Sequence, residues 1–173
     1  MPDDWVHRFH TGTASATATG ILDVEPGKSR PARLLGALMG LPPAAVGQPA
    51  RLRIVRSGPA DGAATRETWI RTFGSISLNT RQIRNGERIA ERAGPVELRM
   101  RCRTTASDVW FIPDGAAVVL GRFGFRLPDL IAPHACAHAW SSGDGAFDVD
   151  VTVRIPLLGV LISYRGHFTE AAE

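Results

Sequence analysis

The sequence predicts a mainly β, single-domain protein: an antiparallel meander of about ten strands that closes or half closes into a barrel, with one α-helix after the first strand. Three observations lead there. Turn signals recur at short intervals, at Pro26-Gly27, Pro42-Pro43, Gly58-Pro59-Ala60-Asp61-Gly62, Asn85-Gly86, Gly94-Pro95, Pro113-Asp114-Gly115 and Gly143-Asp144-Gly145. The segments between them alternate apolar and polar residues with period two. One clear stretch, Pro31 to Met39, carries helical spacing instead.

The elements follow in order. A short turn is expected around Trp5 to Phe9, then a first strand from Thr13 to Val24. In the helix, Leu34, Leu35, Leu38 and Met39 share a stripe, Ser29 is the candidate cap, and Pro31 suits the first turn. Gly40 and Pro42-Pro43 end it. The strand Arg51 to Ser57 puts Leu52 and Ile54 on one face and Arg51 and Arg53 on the other. Thr65 to Phe73 and Ser75 to Ile83 come next, and Asn85-Gly86, the strongest hairpin signal in the chain, leads into Arg88 to Ala93. Val96 to Thr104, Val109 to Ile112 and Ala117 to Phe123 follow; Pro128 to Ala132 reads as a helical turn or a loop. The last strands are Ala135 to Ser142, Phe147 to Ile155 and Leu158 to Phe168. Pro156 stops one of these and Gly159 permits the reversal into the next. Open edges invite aggregation, so so long a meander is expected to curl on itself with the helix over one mouth. The outline resembles lipocalin-like and fatty-acid-binding barrels with a helical lid, an analogy of fold that does not carry function.

Composition narrows the classes. The 173 residues, 44% apolar and 21% charged, suit one globular domain over 1–173. No apolar run approaches the roughly 20 residues of a membrane helix. The start, Met1-Pro2-Asp3-Asp4-Trp5, lacks the pattern of a secretory signal, so a cytoplasmic location is the default expectation. The net charge is +3, and every basic residue except Lys28 is an arginine. Arg99, Arg101 and Arg103 alternate with Leu98, Met100 and Cys102, as on a strand with one wet face, and no stacking aromatics accompany them. Nucleic-acid binding is therefore not expected. Cys102 and Cys136 read as two buried free thiols.

Three constellations could carry chemistry. Glu67, Trp69, Arg71 and Phe73 share one strand face. If that face points inward, Arg71 is buried and needs a partner: Glu67, Asp148 or a ligand carboxylate. If it points outward, another element covers the aromatics. His134, Cys136, His138 and Trp140 alternate with Ala135, Ala137 and Ala139. The first set has zinc-type donors but no third ligand in reach of the sequence, so no metal is expected. Inward alanines would leave room for a ligand; inward Cys136 and Trp140 would fill the barrel. The alternation alone leaves both orientations open. The third constellation is the final hairpin, where Tyr164 shares a face with Val160 and Ile162 and is expected to be buried with its hydroxyl bonded, while Arg165 points the other way. Trp69, Arg71, Phe73, Tyr164 and Arg165 are the candidate ligand-binding residues. The chain has no dinucleotide fingerprint, phosphate loop or nucleophile elbow, so no catalytic residue is assigned and no cofactor is expected.

Scattered motifs carry a resemblance. They are Arg8-Phe9-His10, Pro31 to Leu35 with Gly40-Leu41-Pro42-Pro43, Glu67 to Gly74, Gly94 to Leu98, Leu127-Pro128 with Ala132-Pro133, Phe147-Asp148-Val149, Pro156 to Gly159, and Tyr164-Arg165-Gly166. Together they resemble the domain of unknown function 4166 family. The resemblance implies a bacterial domain, found alone or fused to the C-terminus of dehydrogenase-like reductases, with no established activity. It implies that this chain starts late, with an upstream helix shortened. His134 and His138 match no motif of the family.

Three functions follow as expectations. The first is a binding module whose barrel holds a small apolar or acidic ligand near Arg71. The second is an accessory or catalytic domain serving a reductase-type partner, which requires two of Arg71, Tyr164, Arg165 and His138 to converge. The third is an interaction domain without a ligand.

Overall fold

The computed structural model describes residues 5–57, 64–143 and 145–171. The residues Met1 to Asp4, the whole of the Gly58 to Gly62 turn signal and Asp144 lie outside the described residues. The chain begins with helix α1 (Trp5–Thr11), strand β1 (Ala16–Pro26) and helix α2 (Arg30–Leu38). Then come β2 (Ala45–Ser57), β3 (Thr65–Phe73), β4 (Ile76–Asn85), β5 (Arg88–Ala93), β6 (Val96–Thr104) and β7 (Asp108–Leu120). The last are β8 (Phe123–Arg126), β9 (His134–Gly143), β10 (Ala146–Ile155) and β11 (Gly159–Glu170).

All pairings are antiparallel, in the order β6-β5-β4-β3-β2-β1-β11-β10-β9-β7, and β6 also pairs with β7. Ten strands therefore form a closed barrel, and β8 hangs outside on the end of β7. The register keeps one face continuous around the ring: Leu52 opposite Arg71, Arg71 opposite Leu78, Phe111 opposite Ala137, Val151 opposite Ala137 and Tyr164. That face turns inward, because its members are the buried or half-buried residues that pack into the core, while the alternate residues are mostly exposed. Closure is tight between β1 and β11. A Cβ on Gly20 would sit 1.9 Å from the His167 carbonyl oxygen, and one on Gly166 would sit 2.2 Å from that of Ile21. Glycine is the residue that allows the backbones so close.

The two ends differ. The end holding the start of β1 and the hairpin of β4 with β5 is plugged by α1, whose Trp5, Val6, Phe9 and His10 are buried. Trp5 and Phe9 pack on Phe147 at ring distances of 4.8 and 5.1 Å. A seven-residue helix is not stable alone, and this one is latched at its C-terminal carbonyls. Arg56 donates to Phe9 O and Ala14 O, and Arg84 donates to His10 O at 2.7 Å. Cations suit that end of a helix. Glu67 holds the latch in place: it accepts from Arg56 at 3.2 Å and from Trp69 Nε1 at 2.7 Å.

The opposite end carries α2. Ser29 caps it by accepting from Ala32 N, as expected, and its hydroxyl donates to Leu158 O. Ala32 and the half-buried Leu35 pack against Leu161 and Ile155, so the helix lies on the start of β11. Strict alternation along β10 would continue the inward row of Phe147, Val149, Val151 and Val153 with Ile155. A register shift between Val153 and Arg154 moves it to this second cluster instead.

Other departures have local causes. Pro113-Asp114-Gly115 is not a hairpin turn but a bulge inside a single long β7, with Gly115 at φ 109° and the pairing shifted between Leu98 and Met100. β2 begins at Ala45 rather than Arg51. Cys102 is buried, whereas Cys136 faces out and is exposed. Pro128 to Ala132 is a hydrogen-bonded turn closed on Pro128 O.

Candidate functional site

The barrel interior is unequal along its axis. Beside α1 it is filled by Trp5, Phe9, Trp69, Phe147 and Phe168. Toward the α2 end the inward residues Leu78, Leu98, Val118, Val151 and Val153 are only partly buried, so solvent reaches this half of the lumen. Ala135, Ala137 and Ala139 face inward here, and His134, Cys136, His138 and Trp140 face out.

Arg71 stands at the boundary of the two halves. Alternation with Trp69 and Phe73 carries it inward, and its guanidinium lies 4.9 Å from the centre of the Trp69 ring. Its partner is neither Glu67 nor Asp148 but Glu91 of β5: Arg71 Nη1 donates to Glu91 Oε1 and to Thr80 Oγ1, each at 2.8 Å. Thr80 Oγ1 and Gln82 Nε2 also donate to the Glu91 carboxylate, at 2.6 and 2.8 Å. Burial pushes the Glu91 carboxyl up, but Arg71, Thr80 and Gln82 together hold it below its ordinary value. Burial likewise opposes the Arg71 charge, and Glu91 more than offsets it. Both groups stay ionised.

Both oxygens of the Glu91 carboxylate have partners, but not every nitrogen of Arg71 does. Its Nε and Nη2 make no hydrogen bond to a described residue. Tyr164, the single tyrosine, lies on the same inward face and meets Phe73 edge-on at 5.4 Å. The expectation that its hydroxyl is bonded is not met: no described residue accepts from it or donates to it. Burial and Glu91 push this hydroxyl up, with Arg71 opposing, so it stays protonated. Gln82 Oε1 is buried without a partner among the described residues. The lumen thus presents uncommitted donors from Arg71 and Tyr164 beside apolar walls. Reading from alternation could not find Glu91, Thr80 or Gln82, which join Arg71 only through the pairing of β3, β4 and β5.

The remaining candidates lie elsewhere. Trp69 and Phe73 are buried wall residues, and the Trp69 N–H is already given to Glu67. Arg165 points outward, with its side chain 78% exposed and bonded to Asp150 at 2.8 Å, so it does not join the lumen group. His138 is on the outer wall between Trp110 and Trp140, stacked on the first at 3.5 Å, with Nε2 2.7 Å from Asp108 Oδ1. Among the described residues no three His, Cys, Asp or Glu side chains come close enough to hold a metal.

Ser142, His167 and Asp148 form a chain on the outer surface, but hydroxyl and carboxylate both approach the same ring nitrogen, Nδ1, at 3.3 and 2.7 Å. A nucleophilic relay needs them on opposite nitrogens. Two depressions, about 490 and 380 Å³, lie outside the barrel over β4 to β6. The first is walled by Asn85, Glu87, Arg88 and Arg101, and neither includes a lumen donor.

No curated protein is recognisably similar to the chain. The fold is similar to that of a protein of unknown function of the DUF3598 family from Nostoc punctiforme, with a TM-score of 0.51 at 9% identity. That likeness covers 90% of this chain and 47% of the other, so the chain spans about half the length of that structure. A putative thioesterase II from Thermobifida fusca aligns over 92% of this chain and 79% of its own at 8% identity, but a TM-score of 0.27 carries no argument. The profile of the Domain of unknown function (DUF4166) matches residues 4–168, nearly the whole of the barrel described above, and the chain belongs to that family.

Proposed function

We propose that this protein is a small-molecule binding module whose lumen takes an apolar ligand with an oxygen-bearing head. The carrying observation is the pair of uncommitted donors, Arg71 and Tyr164, inside a lumen otherwise walled by Leu, Val and Ala. Apolar walls with a few convergent polar groups are the ordinary form of a ligand site. Because Glu91 already balances Arg71, the head need not bring a full charge. A carboxylate or a carbonyl oxygen both fit the free N–H and O–H groups. An acid–base enzyme acting for a reductase partner gains less support, since His138 and Arg165 lie on the outer wall, away from the lumen.

Native mass spectrometry of the purified protein, with uptake of a fluorescent fatty acid as the second readout, tests this reading. We expect a co-purified small molecule or probe uptake, weakened about tenfold in Tyr164→Phe and more in an Arg71→Met, Glu91→Leu double variant. An empty protein that takes up no probe, or uptake equal in both variants, overturns it.

A further inference from the structure

The large apolar side chains at the α2 end are exposed. On α2, Ala32 and Gly36 face β11, while Leu34 and Leu38 on the far side are 65% and 77% exposed. Phe123 and Phe125 of β8 are 56% and 61% exposed, and Leu130, Ile131 and Leu157 lie bare on the adjoining loops. These pieces form one rim. Ser29 bonds Leu158 O, Leu157 N bonds Leu130 O, and Leu127 N bonds Ala116 O on the strand that carries β8. An exposed apolar rim of this extent on a monomer marks a contact surface.

Its charge says what kind. The rim segments 26–45, 120–133 and 156–160 present Lys28, Arg30, Arg33 and Arg122 against a single acid, Asp129; Arg126 turns away from them to the side wall, beside Asp114. All four rim cations are exposed, and none forms an ion pair with a described carboxylate. A helix with apolar residues on one side and cations beside them lies flat in a membrane interface, and nearby cations favour anionic headgroups. The rim also surrounds the end of the lumen that α1 does not plug.

We propose that this rim docks on the surface of an anionic phospholipid bilayer, with α2 and β8 seated among the headgroups and the lumen mouth facing the acyl chains. The inference deepens the ligand-binding reading, because it gives an apolar ligand a route that avoids water.

The test is flotation of the whole protein with vesicles of phosphatidylcholine alone and of phosphatidylcholine mixed with phosphatidylserine. Binding is expected only to the mixed vesicles, and to fall with added salt. Arg30→Glu with Arg33→Glu should weaken it at least about tenfold, and so should Leu34→Ser with Leu38→Ser. Phe123→Ser with Phe125→Ser probes the same rim from a different element. All six positions are exposed, and an unchanged melting curve confirms that each variant is folded. Arg99→Glu with Arg103→Glu on the side wall should leave binding unchanged. Failure to bind mixed vesicles, equal binding to both vesicles, or equal loss in the side-wall variant overturns the proposal, as does a rim that only joins two copies of the chain. Tyr164→Phe should float like the parent protein, so a failed lumen and a failed rim are told apart.

Discussion

Arg71 and Glu91 sit inside the barrel with side chains 15% and 10% exposed, so each is costly without the other. Removing one partner leaves a buried charge uncompensated. Glu91→Leu is expected to lower the unfolding free energy by roughly 3 kcal/mol. The Arg71→Met, Glu91→Leu double variant should recover much of that loss, because an apolar pair costs no desolvation. Urea denaturation of the two single variants and the double variant measures the coupling. Losses that simply add would show that the two charges do not depend on each other. Tyr164→Phe should behave differently. Its hydroxyl has no partner among the described residues, so stability should change by less than about 0.5 kcal/mol while ligand retention falls. A large stability loss would mean that the hydroxyl is bonded within the fold.

At the scale of the element, α1 depends on the barrel it plugs. Its seven residues cannot hold a helix unaided. Arg56→Met removes the donors to Phe9 O and Ala14 O and strips a partner from Glu67, whose side chain is 1% exposed. We expect amide exchange across α1 to rise while exchange in β9 to β11 changes little, followed by mass spectrometry of peptides. Uniform acceleration over the whole barrel would show that the plug and barrel unfold as one unit. Elements such as β3 and β10 were legible in the sequence because each has one dry and one wet face, which writes period two into the residues. β8 was not, since all four of its residues are exposed and no alternation of burial exists to be read. β7 looked like two strands because a bulge at Pro113-Asp114-Gly115 uses the same residue types as a turn. The lumen was half legible: alternation aligned Arg71 with Trp69, but its carboxylate partner lies two strands away, and pairing between distant strands leaves no local mark.

For the whole molecule, the plugged end sets the response to acid. His10 is enclosed by Phe9, Trp69, Phe111 and Phe147 and bonds Val6 O through Nδ1 at 2.9 Å. Burial lowers its pKa to about 3; the Val6 bond opposes this, and the guanidinium groups of Arg84, Arg56 and Arg71 reinforce it. The folded chain therefore keeps His10 neutral where the unfolded chain, with an ordinary value near 6.5, accepts a proton. Above that value both states are neutral and the fold has its full stability. As pH falls below it, the unfolded state binds a proton that the native state refuses, and stability drops by about 1.4 kcal/mol per pH unit. The loss continues until pH approaches the folded value of about 3. Glu91, held below its ordinary 4.5, adds its own loss only lower down. Between pH 6.5 and 5, His10 should therefore take roughly 2 kcal/mol from the unfolding free energy read by urea titration. His10→Phe, which keeps a ring in the aromatic cage, should flatten this limb. An unchanged slope in that variant would place the acid response in other groups, and α1 would then be bound no more tightly to the barrel at neutral pH than at pH 5.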